Sequence, residues 1–238
     1  MIPRRFLRIT AMAMMAIAMV CGSCVPQPPA EGDGEIEERL AQLEELELTR
    51  QALEKELAAM DVPQLFEELQ RDTERGVEPF NSMPYAEMVS RGEQAAPELF
   101  RMLKEPTRIS FLALLALRQM DAGLYMELDP MFRVSVLVDA LGSAQTLNAW
   151  GLPHLNWEDA AEALFEEGEM AIELLKELLG ERRPAPMWGS EEVFEYQQYQ
   201  YRIRDYAWVM LMRIQGMEYE IPTDPEARDS LIKETTGY

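Results

Sequence analysis

The sequence predicts an all-α fold, and three observations carry that prediction. After Pro63 the apolar residues recur with the period of a helix, and no run alternates in the way that a half-buried strand requires. Residues 134–138 are rich in β-branched side chains, but they follow a helix-start signal, Asp129-Pro130, and precede Gly142. In addition, two segments repeat one helix–turn–helix pattern. We therefore expect antiparallel helix pairs preceded by a separate acidic helix.

The composition of the 238-residue chain is that of a globular protein, and its charge excludes several functions. Hydrophobic residues make up 47% of the chain, and 43 acidic residues against 22 basic ones give a net charge of −21. Such an excess opposes binding to nucleic acid phosphates and to anionic lipid headgroups. Because Cys21 and Cys24 are the only cysteines and His154 the only histidine, the sequence excludes a disulfide framework and a multi-histidine metal site. We expect no metal, no cofactor and no nucleic acid partner.

Residues 1–23 have the pattern of an export signal. Arg4, Arg5 and Arg8 make a positive start, and an apolar run from Ile9 to Val20 follows. At about 1.5 Å per residue this run spans roughly 18 Å, whereas the hydrocarbon core of a bilayer is about 30 Å thick. The pattern therefore favours a signal peptide over a permanent transmembrane helix.

The end of this signal, Cys21-Gly22-Ser23-Cys24, resembles the lipobox of bacterial lipoproteins. In that family small residues precede a cysteine that is diacylated and becomes the new N-terminus, which implies lipid attachment at Cys24. Cys21 stands where the family usually has Leu, and it is the alternative site of acylation. A soluble export signal and an uncut anchor are the other interpretations. The resemblance implies an exported protein anchored to the cell envelope by lipid, at the outer membrane if the bacterium has two membranes.

Residues 24–34 predict a flexible linker, because Pro, Gly and acidic residues alternate there without hydrophobic periodicity. Residues 35–61 then predict an acidic amphipathic helix. Six of the eight residues at heptad positions a and d are apolar, the full set being Ile36, Arg39, Leu43, Leu46, Arg50, Leu53, Leu57 and Met60. Two interpretations stay open: a short coiled coil that forms a homodimer or docks on a partner helix, and a helix that packs one stripe on its own domain.

Residues 62–238 predict a helical domain with an internal repeat. Residues 92–103 (GEQAAPELFRML) match residues 168–179 (GEMAIELLKELL), and residues 112–117 match residues 206–211. The second copy contains additional Pro- and aromatic-rich residues between its helices. Gly92 and Gly168 are expected to adopt a left-handed conformation that ends one helix and lets the next begin.

A Gly-Glu turn, an Ala/Leu helix, a short break and a second Ala/Leu helix resemble the HEAT-repeat family over residues 85–216. The resemblance implies stacked antiparallel helix pairs in a short α-solenoid. An irregular helical bundle with two similar hairpins is the alternative. Either arrangement leaves helix flanks that need a neighbour to cover them.

The sequence contains no motif of a serine hydrolase, zinc protease, phosphate-binding loop or dinucleotide fold, so we expect a protein without enzymatic activity. The preferred function is recognition of an unidentified protein partner by the helical domain. An acidic surface would favour a partner that is basic or of mixed charge.

Aromatic residues provide the alternative function. Trp150, His154 and Trp157 lie in one irregular segment and Trp188 in another, and loop aromatics can form a groove for a cell-wall glycan or peptide around 150–157 and 184–190. Both segments precede helices of the second repeat and are expected to meet at one end of it. The competing interpretation is that they fold back there to close it. A further aromatic series predicts one buried helix stripe, namely Tyr196, Tyr199, Ile203, Tyr206 and Met210.

Overall fold

The computed structural model describes residues 33–74, 80, 82–103, 109–153, 158–189 and 192–237. Over these ranges the regular structure consists of α-helices and short 3₁₀ turns, without a strand, so the predicted all-α class is confirmed. The helices are α1 (Asp33–Ala59), α2 (Val62–Glu74), α3 (Met83–Ser90), α4 (Ala96–Met102), α5 (Ser110–Met120), α6 (Ala122–Glu127), α7 (Pro130–Ser143), α8 (Asp159–Glu166), α9 (Ile172–Glu177), α10 (Glu192–Tyr199), α11 (Ile203–Ile214) and α12 (Pro225–Thr236).

Several helices begin where a short polar side chain accepts a hydrogen bond from the first turn. Asp129 accepts from the Phe132 N–H at 2.9 Å, and Pro130 occupies the first turn of α7. Residues 134–138 therefore lie inside a helix, as predicted. The same device starts α3, α6 and α12, at Ser82, Asp121 and Asp224.

The chain divides into two units, residues 1–51 and residues 52–238. The described part of the first unit is the α1 segment 33–51, in which every side chain from Ile36 to Gln51 is exposed. The sequence predicts a helix over 35–61, and the structure is helical from Asp33 to Ala59. The leucines of this helix from Leu40 to Leu53 are exposed, whereas Leu57 is buried, so the exposed stretch is a candidate binding surface.

The second unit contains the hydrophobic core. Residues 112–117 of α5 and 203–212 of α11 are buried throughout, so these two helices have no solvent-facing side over those stretches. A helix that is covered on all sides lies at the centre of a fold, and its neighbours need to be apolar on one side only. Helices α7, α8 and α9 are such neighbours. Helix α5 packs against α7 and α8, and α11 packs against α8 and α9.

Both predicted hairpins are present as packed helix pairs. Helix α4 packs against α5, and α9 with the 3₁₀ turn that follows it packs against α11. Gly92 and Gly168 have φ values of +54° and +60°, the left-handed conformation expected for both. A Cβ at either position would meet nothing within 4 Å, so backbone conformation, rather than space, explains the two glycines.

The aromatic series after Tyr196 does not lie on one helix, which corrects that prediction. Helix α10 ends at Tyr199, Gln200 has a φ of +50°, and α11 begins at Ile203. The segment before α10 causes the break, since the Ile203 N–H donates to the Arg183 carbonyl at 3.1 Å. The Arg202 N–H then donates to the Asp205 carboxylate at 3.0 Å, which caps the new helix.

Candidate functional site

Three residues predicted to be functional, Cys24, His154 and Trp157, lie outside the described residues. Acylation of Cys24 and ligand contact at His154 and Trp157 therefore stay predictions. Trp150 and Trp188 are described, and they have opposite environments.

Trp150 belongs to the core. Its side chain is 1% exposed and stacks on Phe111, with ring centroids 5.7 Å apart and planes 12° from parallel. Tyr206 meets it edge-on at 6.1 Å and donates its hydroxyl to the Trp150 carbonyl. A ring enclosed in this way packs the interior and is not offered to a ligand, so we assign Trp150 to the core and not to a binding surface.

Trp188 has an exposed ring on a fixed backbone. Its side chain is 64% exposed. Its main-chain N–H, in contrast, donates to the Asn148 side-chain oxygen at 2.9 Å. The Asn148 amide group donates in return to the Trp188 carbonyl. This pair of hydrogen bonds holds the main chain at Trp188 while leaving the indole in water.

The two irregular segments meet, as predicted, and their described parts mostly close the core. The Leu147 N–H donates to the Pro186 carbonyl at 3.1 Å, next to the Asn148–Trp188 pair. Leu152, Ala185 and Met187 are buried with Trp150, so these parts of both segments point inward. These described parts therefore favour the interpretation in which the two segments close the end of the core. The side chain of Trp188 is the exception, because it is exposed.

Several exposed apolar side chains of the described residues lie in a row on α1. We define the α1 stripe as Ile36, Leu40, Leu43, Leu46 and Leu53. Each of these side chains is at least 40% exposed, and Leu46 reaches 66%. Leu48 is equally exposed at 67% but occupies the outer heptad position, away from the a and d series.

Charged residues surround the α1 stripe. Arg50 donates from Nε and Nη2 to the two carboxylate oxygens of Glu47, at 3.0 and 2.6 Å. This hydrogen bonding, with a further one from Gln51, lowers the pKa of Glu47 to about 2. The stripe is therefore bordered by a carboxylate that keeps its charge at any physiological pH.

The C-terminal end of α1 is held by Arg91, the residue that follows α3. Arg91 donates to the Met60 carbonyl at 2.6 Å and to the Leu57 carbonyl at 2.8 Å, groups that a helix end otherwise leaves to water. Its Nε donates to Glu87 at 3.0 Å. A depression of about 440 Å³ lies beside it, lined by Asp61, Pro63, Arg91, Gln94 and Glu98. Because Arg91 already binds three main-chain carbonyls and a carboxylate, it acts there as a helix cap.

A buried ion pair joins α7 to the turn before α9. Arg133 donates to Glu167 from Nε at 2.7 Å and from Nη2 at 2.9 Å, and the two side chains are 3% and 2% exposed. Tyr125 donates its hydroxyl to the same carboxylate at 2.9 Å. Burial, together with the charge of Glu167, raises the pKa of Tyr125 well above its ordinary value. Every partner in this group is engaged within the protein, so its role is structural.

Arginines also converge at the start of α11. Arg202 bridges Asp205 and Asp229 with contacts of 2.7 and 2.6 Å, and Arg228 approaches Asp205 at 3.2 Å. Burial disfavours the charged form of Asp229, but hydrogen bonding and attraction from Arg202 and its neighbours lower its pKa below the ordinary value. Arg228 additionally donates to the Tyr199 carbonyl at 2.7 Å. The network ties α12 to the start of α11.

Across the described ranges, no group of three or more His, Cys, Asp or Glu side chains is placed to hold a metal ion. Of the helices found in those ranges, none combines the length and the apolar character needed to cross a bilayer. Among the exposed apolar side chains of the described residues, which also include Phe194 at 74%, we take the α1 stripe and Trp188 as the candidate contact surfaces. Sequence reasoning named both, but it could not separate Trp188 from Trp150.

Comparison with protein-family models, with curated proteins and with solved structures found no match to this chain.

Proposed function

We propose that this chain is an exported, lipid-anchored protein without enzymatic activity, which binds a protein partner at the cell envelope through its helical part. The observation that carries the proposal is the exposed α1 stripe. Large apolar side chains that stand together in solvent mark interaction surfaces, because covering them releases about 25 cal/mol per Å² of buried area. A HEAT-like stacking of the two hairpins would give the same protein a rigid platform.

The N-terminal sequence supports the anchor. Removal of residues 1–23 takes away Arg4, Arg5 and Arg8 and no acidic residue, so the net charge changes from −21 to −24. A chain of this charge is repelled by anionic lipid, so attachment would depend on acyl groups. Two acyl chains on Cys24 suffice for stable anchoring, whereas a single chain binds reversibly.

Fractionation of cells that express the full chain tests the anchor. We expect the wild-type protein in the membrane fraction and Cys24→Ala in the soluble fraction. Cys21→Ala is the matched control, and it should stay with the membrane. If Cys24→Ala remains in the membrane while Cys21→Ala is released, the lipid is on Cys21. Retention of both variants would contradict lipid anchoring at this motif.

Partner binding is tested by capture from gently solubilised membranes. We expect Leu46→Ser to lose the partner and Leu48→Ser to keep it. The two leucines lie on one helix with almost equal exposure, 66% and 67%, and differ in whether they belong to the stripe. Equal capture by both variants would show that the stripe is not the contact surface.

A second function, binding of a cell-wall glycan or peptide, is favoured by Trp188. Its exposed ring on a backbone fixed by Asn148 is the type of platform on which a sugar or peptide stacks. Solubilised cell-wall fragments should then change the tryptophan emission of the wild-type chain but not of Trp188→Ala. An identical response from both proteins would remove Trp188 from the site.

A further inference from the structure

We infer that the α1 stripe is occupied by an amphipathic helix of another protein, one that carries basic residues beside its apolar seam, and not by a second copy of this chain. The inference rests on the proposed function, because it names the partner class for the same surface. Three observations carry it: the heptad register of the stripe, the charges at the flanking positions, and the two arginines that occupy a and d positions between the stripe residues.

The register of the stripe is that of a helix-pairing seam. Ile36, Leu43, Leu46 and Leu53 occupy a and d positions, and Leu40 widens the seam at a flanking position. Residues 36–53 form about five helical turns, with a length of roughly 27 Å. A surface of this length and width matches one partner helix lying along α1.

The flanking positions are acidic and contain no basic residue. In a two-stranded coiled coil the e and g residues of one helix face those of the other and decide which partners pair. From Leu40 onward, the e and g positions of α1 are Leu40, Gln42, Glu47, Thr49, Glu54 and Glu56. Two copies would place glutamates beside glutamates and neutral residues, with no basic residue at the e and g positions of either helix. A partner with Lys or Arg at these positions would meet opposite charge along both edges.

Arg39 and Arg50 in the seam disfavour a second copy as well. A parallel pair in register sets Arg39 against Arg39 and Arg50 against Arg50. A fully overlapped antiparallel pair sets Arg39 of one helix against Arg50 of the other. Like charges therefore meet inside the seam in both arrangements. A partner helix with an acidic residue opposite each arginine would instead place opposite charges together in the seam. For Arg50 it would add a second carboxylate to that of Glu47, which Arg50 already contacts at 2.6 Å.

The test uses two synthetic helical peptides of about 25 residues, long enough to cover the stripe. Both have leucines in the seam and glutamates opposite Arg39 and Arg50. One peptide has lysines at its flanking positions, and the other has glutamates there. Fluorescence anisotropy measures the binding of each labelled peptide to the full chain, including its α1 segment.

We expect the lysine-flanked peptide to bind at least about tenfold more tightly than the glutamate-flanked peptide, with a ratio that shrinks as salt screens the flanking charges. Leu46→Ser should weaken its binding by about tenfold, whereas Leu48→Ser should leave it unchanged. The double variant Glu47→Lys and Glu54→Lys should reverse the preference between the peptides.

Equal binding of the two peptides, or failure of both to bind, would overturn the inference. So would a dimer in sedimentation equilibrium that Leu46→Ser dissociates and Leu48→Ser does not, because the occupant would then be a second copy. These outcomes differ from failure of the proposed function. If capture from membranes still depends on Leu46 while the peptides bind equally, the stripe has a partner whose chemistry is not the one inferred.

Discussion

At the scale of single residues, the Arg133–Glu167 pair shows how charge is kept inside an acidic protein. Both side chains are almost fully buried, and each is hydrogen-bonded to the other and to a third group. Taking charges from water is unfavourable unless the pair is well aligned. The neighbouring pair, Arg118–Glu166, has a similar contact of 2.7 Å but is 17% and 57% exposed.

We predict that Arg133→Met lowers the free energy of unfolding by about 3–5 kcal/mol, since it leaves the Glu167 carboxylate buried without its cation. Arg118→Met, the matched control, should change it by less than about 1 kcal/mol because water replaces the lost partner. Urea denaturation followed by circular dichroism measures both values. Combining Arg133→Met with Glu167→Leu should recover most of the loss. Equal effects of the two arginine substitutions would show that burial does not distinguish these pairs.

The tryptophans show where sequence reasoning ends at this scale. Trp150 and Trp188 are the same residue type in equally irregular segments, yet one stacks on Phe111 and the other is in water. Irregular segments have no hydrophobic period that assigns a side chain to the interior. The decision is made by tertiary hydrogen bonds such as Asn148 to Trp188, which pair residues 40 positions apart.

At the scale of elements, the two left-handed glycines connect the repeated hairpins. Gly168 has empty space around it, so a substitution there tests backbone conformation without a steric clash. The same is true of Gly92 in the first hairpin. The change in stability on substitution at these positions therefore measures how strongly the left-handed backbone conformation of the turn favours glycine.

We predict that Gly168→Ala destabilises the protein by about 1 kcal/mol, because an L-residue with a Cβ disfavours a φ of +60°. Gly168→Asn should lose less, since asparagine tolerates the left-handed region better than alanine does. Gly92→Ala should behave like Gly168→Ala. Thermal melts of the four proteins provide the comparison, and a Gly168→Ala variant as stable as wild type would contradict the argument.

The helices themselves were predictable where periodicity and caps agree. Asp129-Pro130 marked the start of α7, and the matching Gly-Glu turns marked both hairpins. The break after Tyr199 was not predictable, because the aromatic spacing continues through it without a proline or glycine. Backbone pairing of residues 183–185 with 201–203 ends that helix, and such pairing leaves no local signal.

At the scale of the molecule, the acidic excess should oppose folding through self-repulsion. The net charge of −21 is spread over one chain, and the Debye length is about 10 Å at 0.1 M salt. The buried Arg133–Glu167 pair is shielded from salt, whereas repulsion among exposed carboxylates is not.

We therefore predict that raising sodium chloride from about 20 to about 200 mM increases the melting temperature by a few degrees, because added ions screen the repulsion. Differential scanning calorimetry on the full chain measures it. An uncharged osmolyte at the same osmolality serves as the control and should give a smaller increase. A lower melting temperature in salt would mean that the surface ion pairs outweigh the net repulsion.

The clamp that Arg91 places on the Leu57 and Met60 carbonyls gives α1 two unlike ends with respect to hydrogen exchange. Amides near the clamp should exchange slowly, because opening there breaks the hydrogen bonds from Arg91. Amides near Ile36 belong to turns with exposed side chains, and they should exchange fast. The rates of amide hydrogen exchange along α1 can therefore be used to detect binding to the stripe. Any ligand that covers the stripe would slow exchange first at the labile end, where there is most protection to gain.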